Sequence, residues 1–274
     1  MPDIVTIITN PFVTRAIIAV VLISILAATT GSITTFRGLS FMVVGIAHAA
    51  LAGASLAIIL EQYGILKTEP VFIALAFCLV IAIIIGVTSR GDMDNITASI
   101  GVMFAFSMSL ALLFISMMKE YSVEAWGLIL GDILLLTMKD LILLTTITLV
   151  VAFLCILFMR EFIFISFDTE GARALGVNVS LYQNLMLVLI ATSTVVLLKG
   201  VGAILVYAVL IIPSAIARRV AGSISGIIIL SFFVALATGV LGILLAFVVN
   251  AAPSAIIGLI LSIIYILSHL KHTE

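Results

Sequence analysis

The chain has 274 residues, 64% of them hydrophobic and only 9% charged, with a formal net charge of -1. Soluble domains run at about 45–50% apolar residues, so this composition, with a mean hydropathy of +1.47, identifies an integral membrane protein. No basic excess is left for a nucleic-acid partner, and Cys78 and Cys155, far apart in apolar runs without a CxxC or Cys/His pairing, read as buried core residues rather than a disulfide or zinc site.

A membrane helix needs about 20 apolar residues to cross a hydrocarbon layer of about 30 Å. Residues 1–10 carry Asp3 but no basic n-region or small-residue cleavage site, so the first apolar run is expected to stay in the mature protein. Cutting at the charges and at the Pro, Gly and Asn breaks leaves nine candidate spans: 12–34, 40–60, 70–89, 96–118, 138–165, 183–199, 201–218, 223–249 and 253–269. The expectation is an all-α, polytopic helical bundle of about eight or nine membrane helices, forming a single transmembrane domain over 1–274. Segment 121–136 is too short to span and carries Glu124, Trp126 and Asp132, as a re-entrant or interfacial piece would. Residues 183–218 read as two short helices or as one interrupted pair.

With the N-terminus outside, the inner loops receive Arg37, Arg90, Arg160, Arg173, Arg218, Arg219 and Lys271, and the outer ones Lys67, Lys119, Lys139 and Lys199. The excess of basic residues inside favours that orientation. It also gathers Glu61, Glu69, Glu120, Glu124, Asp132 and Asp140 on the outer face. Such a face either concentrates cations or is simply solvated.

The second span, within GLSFMVVGIAHAALAGASLAIILEQ, holds His48, the one histidine outside the last six residues. A polar, metal-coordinating side chain at membrane depth costs a few kcal/mol, so it marks a pathway or a specific polar contact. Ala49, Gly53 and Ala57 recur every four residues, as do Ala50 and Ala54. These are small-xxx-small faces on which other helices approach closely.

The longest polar stretch among the inner loops is FDTEGARALGVNVSLYQN, 167–184. Asp168, Thr169 and Glu170 suit a helix start, and Gly176 suits a left-handed stop. The short helix between them would turn Ala172, Leu175 and Val177 toward an apolar surface and leave Glu170 and Arg173 to water or a partner. A helix this short needs docking, on a cytoplasmic partner or on the membrane domain itself. Beyond it, Pro213 removes an intrahelical hydrogen bond, and Gly200 and Gly202 permit a break. Bent, breakable helices suit alternation between two openings.

In order, GIAHAALAG, LGDIL, FDTEGARALGV, GVGAILVYAVLIIPSAIARR and NAAPSAIIGLIL resemble the permease subunits of ABC importers for zinc, manganese and iron, over roughly residues 30–260. The resemblance implies a type II-like permease fold, and a dimer (homodimer or heterodimer) in the lipid of the plasma membrane. It also implies cytoplasmic ABC ATPase subunits and an extracytoplasmic metal-binding protein as partners. Segment 167–184, with Asp168, Glu170, Ala172, Arg173 and Gly176, would be the piece that couples to the ATPase. Gly202, Leu205, Pro213 and Ala217 fall on the family's glycine-leucine and proline-alanine pattern.

One position departs from that family. Its permeases usually carry an aspartate four residues before the histidine, where carboxylate and imidazole share a helix face as paired ligands; this chain has Val44. Three readings follow. His48 pairs with the histidine of a second copy, meets a carboxylate from a different permease, or donates to a backbone carbonyl and binds no bare ion. No GxxxxGK[ST] loop is present, so ATP is expected on a separate chain and no enzymatic activity or cofactor on this one. Every Asp and Glu lies at or near a span end, which counts against an ion-coupled secondary transporter. The expected cargo is zinc or manganese, with a metal chelate of siderophore or cobalamin type as the alternative.

Overall fold

The computed structural model describes residues 11–89, 93–118, 127 and 130–270. Arg90, Lys119, Glu120, Glu124, Trp126 and Lys271 lie outside the described residues. Lipid offers no partner to backbone N–H and C=O groups, so each apolar run closes its hydrogen bonds within a helix. Helix α1 is Pro11–Arg37, with a π-helical turn at Ala27–Gly31. It is followed by α2 (Ser40–Gln62), α3 (Pro70–Ser89) and α4 (Met93–Met117). A 3-10 turn at Ile133–Leu135 precedes α5 (Met138–Leu157), α6 (Met159–Phe167) and α7 (Thr169–Ala174). The chain then forms α8 (Val179–Val201), α9 (Val206–Val220), α10 (Ile224–Val249) and α11 (Pro253–Leu270).

Each of the nine expected apolar stretches holds a helix, and seven helices among the described residues are long and apolar enough to cross a membrane. Helix α9, with 15 residues and an internal proline, and the apolar part of α11, Pro253–Ser268, are shorter. The expected span 138–165 is two helices, because the chain turns at Phe158 (φ -102, ψ 18) just before Arg160 and Glu161. Helix α8 begins at Val179 rather than 183, because the Asn178 side chain caps it by accepting from the Leu181 N–H at 3.1 Å. Between α8 and α9 the chain breaks at Gly202 (φ 85, ψ 155), a conformation reserved for glycine.

Three helices form the interior: α1, α2 and α8 bury 78%, 78% and 72% of their apolar windows. Helices α4, α5 and α10 bury only 17%, 28% and 33%, so their apolar faces, with Val102, Phe153 and Ile229, turn outward. The charged groups separate to two ends. At one end Arg15, which the loop count leaves out, donates to the Leu136 carbonyl at 3.3 Å, beside Glu61, Lys67, Glu69, Asp132 and Lys199. At the other end Arg37 meets the segment that begins α7.

Candidate translocation site and coupling segment

His48 lies near the middle of α2. Its Nδ1–H donates to the Val44 carbonyl one turn earlier at 2.8 Å, and the edge of Phe104 on α4 meets its ring at 5.0 Å. A carbonyl only accepts, so this bond places a proton on Nδ1, and in the neutral imidazole the lone pair is then on Nε2. The neighbours on α2 are buried, including Ala47, Ala49, Ala50 and Ala52, whereas His48 and Val44 are half-buried and Phe41 is exposed. His48 therefore occupies the narrow strip of an otherwise buried helix that this chain leaves uncovered.

Among the described residues, no group of three or more His, Cys, Asp or Glu side chains could enclose a metal. Glu61 is the nearest carboxylate along α2, about 20 Å up the helix at 1.5 Å per residue. Along α2 the chain thus supplies one imidazole at membrane depth, with no carboxylate, thiol or second imidazole from Ser40 to Leu60. Opposite this strip, a Cβ added to Gly53 would lie 2.8 Å from the Ala74 Cα on α3. The small face of α2 is used for close packing against that helix.

Above the site, at the Glu61 end of α2, a cavity of about 600 Å³ is lined by Glu61, Lys67, Glu69, Asp132 and Lys199, among others. Asp132 is partly committed, since its side chain accepts from the Leu134 N–H at 2.9 Å. Lys199 is paired with Asp140 at 2.7 Å, and Asp140 in turn closes a capping box with Thr137 at the start of α5. Behind the cavity Gly131 (φ 64) lies directly on the Val201–Gly202 backbone. The glycine break before α9 is therefore held against this outer segment.

At the opposite end, Asp168 caps α7 by accepting from the Gly171 N–H at 2.8 Å, and Gly176 (φ 80) ends the turn in the left-handed conformation. Ala172 is fully buried, while Asp168, Glu170, Arg173 and Leu175 are exposed. Of the expected apolar stripe, Ala172 alone is seated on the membrane domain and Val177 is half-buried, while Leu175, at 76% exposure, points away from that domain together with Phe167 at 67%. With six residues, α7 has only Ala172 to seat inward, and the turn that follows carries Leu175 to the other side. Pro213 stays within α9, where Ser214 donates to the Gly31 carbonyl of the π turn at 3.1 Å.

Sequence reasoning counted Arg37 only as a loop charge. In the structure it is 5% exposed and donates to the Ile165 carbonyl, to Thr169 Oγ1 at 3.0 Å and to Gln183 Oε1 at 3.4 Å. An arginine at the end of a membrane helix reads as a snorkelling side chain, so nothing in its sequence context signals burial.

The ABC 3 transport family model matches residues 9–272. The chain belongs to that family. Among its relatives, the manganese transport system membrane protein MntC of Listeria monocytogenes is 30% identical over 260 residues, covering 94% of this chain and 90% of that protein. The manganese import system permease protein ScaB of Streptococcus gordonii is 30% identical over 257 residues, with 94% and 90% covered. A solved structure, PsaBC from Streptococcus pneumoniae in complex with Fab, matches with a TM-score of 0.81 at 28% identity, covering 95% of this chain and 91% of that one. This ABC 3 family member is thus a multi-pass membrane permease.

Proposed function

We propose that this chain is the transmembrane subunit of an ATP-driven importer of a divalent transition metal. In this reading two permease subunits face each other across the His48 strip. A binding protein delivers the ion to the outer cavity, and separate ATPase subunits dock on the exposed side of segment 167–184 through Phe167, Glu170, Arg173 and Leu175. The observation that carries the reading is His48 itself, its Nδ1–H tied to a carbonyl and its Nε2 open on the uncovered strip of α2. Metal-ligating histidines are oriented by such a second hydrogen bond. A facing subunit completes the donor set and also removes an imidazole from lipid, where it would be costly.

The named relatives carry manganese, which supports manganese as cargo. Val44 favours zinc as a second reading, since paired imidazoles without a carboxylate suit a borderline ion better than manganese, which prefers oxygen donors. Uptake of manganese and of zinc is measured in cells or proteoliposomes carrying the complex. His48→Ala should lower uptake of the native cargo by about tenfold or more, the scale set by losing a metal-site group. Undiminished uptake of both ions by a normally folded His48→Ala protein removes His48 from the pathway.

A further inference from the structure

Arg37 stands out as a buried cation without an anion. Among the described residues no carboxylate pairs with it, and its Nε–H is buried without a hydrogen-bond acceptor. Removing a guanidinium from water costs several kcal/mol unless it is well paired, and an apolar residue would pack at this position more cheaply. Its acceptors are instead neutral oxygens on separate elements: the Ile165 carbonyl on α6, the Thr169 hydroxyl at the start of α7 and the Gln183 amide on α8. Gln183 passes the chain on, donating to Ser89 Oγ at the end of α3 at 3.2 Å. Four helices are thereby tied to one side chain.

The position of Arg37 along the chain gives the fan a direction. The next residue is Gly38 in the left-handed conformation (φ 74), with no atom within 4 Å of where its side chain would be. Two residues later α2 begins and carries His48. The bonds to Gln183 at 3.4 Å and from Gln183 to Ser89 at 3.2 Å are at the long end of the range. Bonds to neutral acceptors break and re-form more readily than a closed carboxylate pair, and the spare Nε–H is a donor ready for a shifted acceptor.

We propose that Arg37 is a positioning residue that passes displacement of the α7 segment to the His48-bearing helix α2, with the unobstructed Gly38 turn as the transfer point. This rests on the transport reading above for its purpose, but its test does not depend on any metal being moved. Single cysteines replace the exposed Phe41 on α2 and the exposed Ala174 on α7, in the full complex with its ATPase. Thiol labelling rates are then compared with and without bound ATP; the native Cys78 and Cys155 are buried.

In the otherwise unchanged protein, ATP should alter both rates by about fivefold or more. With Arg37→Gln added, the response at Ala174→Cys should persist while that at Phe41→Cys falls below about twofold. Arg160→Gln, which removes an exposed arginine from the same end, should leave both responses in place. Should Arg37→Gln not assemble, Thr169→Val removes one acceptor and should weaken the Phe41→Cys response, with Thr169→Ser restoring it. A Phe41→Cys response that survives Arg37→Gln, or survives Thr169→Val where the arginine variant does not assemble, overturns the proposal. So does the absence of any ATP response at Phe41→Cys in the parent. Failure of the parent complex to take up manganese or zinc sinks the proposed function and leaves these labelling outcomes decisive for Arg37.

Discussion

Gly53→Ala tests whether the small face of α2 is a real contact. A Cβ there would lie 2.8 Å from the Ala74 Cα, 2.9 Å from the Phe77 Cβ and 3.0 Å from the Ile73 carbonyl, where ordinary contact is 3.4–4 Å. Two of these atoms are backbone and cannot swing aside, so α2 and α3 must part by about 0.6 Å. Overpacking of that kind costs ~1–3 kcal/mol. Gly45→Ala on the same helix is the matched control, since its Cβ would stand 3.7 Å from Ile100 and Phe104 side-chain atoms. Both substitutions carry the same gain of about 1 kcal/mol in helix propensity, which cancels in the comparison. The difference isolates the clash and should appear as roughly 5 °C in thermal unfolding of the purified protein, at 2–4 °C per kcal/mol for a chain of this size. Equal midpoints for the two variants would refute the close approach of α2 and α3.

Two further substitutions probe the site and the docking face. Val44→Asp places a carboxylate one turn from His48, and should shift relative uptake toward manganese over zinc by about tenfold, the weight of one added oxygen donor of the preferred type; an unchanged ratio means that position 44 does not face the ion. Leu175→Glu charges a side chain that is 76% exposed and buries nothing in this chain, so the thermal midpoint should stay within the ±0.5 kcal/mol scatter of surface changes while co-purification of the ATPase is lost; retained ATPase would show that Leu175 is not part of its seat.

Local chemistry made much of this chain readable in advance. Apolar runs of about 20 residues mark the helices, and the stop at Gly176 and the cap at Asp168 follow from side-chain and backbone preferences that act within a turn. What escaped was long-range. The turn at Phe158 comes just before the charged pair Arg160 and Glu161, and the hydrophobic run through Phe162–Phe167 that follows obscures it. Which surface the Ala172, Leu175 and Val177 stripe meets is not set by spacing, and in a six-residue helix Ala172 alone seats on the membrane domain. The burial of Arg37 depends on oxygens from Ile165, Thr169 and Gln183, all more than 120 positions away. Val44 was legible as an anomaly, yet the part its carbonyl plays in orienting His48 belongs to the backbone and leaves no mark on residue identity.

The three regions of interest lie along one helix. Helix α2 begins just after the Arg37–Gly38 turn, carries His48 near its middle and reaches the outer cavity through Glu61. Its 23 residues amount to about 35 Å at 1.5 Å per residue, the depth of the membrane. No residue from Ser40 to Gln62 has positive φ, and Gly53 is wedged against backbone atoms of α3, so α2 has no obvious place to yield internally. Close-packed interiors transmit strain rather than absorb it. A displacement applied at the Ser40 end is therefore felt at His48 and at Glu61 together, and α3, packed on Gly53, is carried with α2. Because α3 is itself tied to Arg37 through Ser89 and Gln183, the inner network acts on both helices at once. Under the proposed transport role, that arrangement gives an event at the 167–184 end a physical route through the Gly38 turn to the Glu61 end of α2.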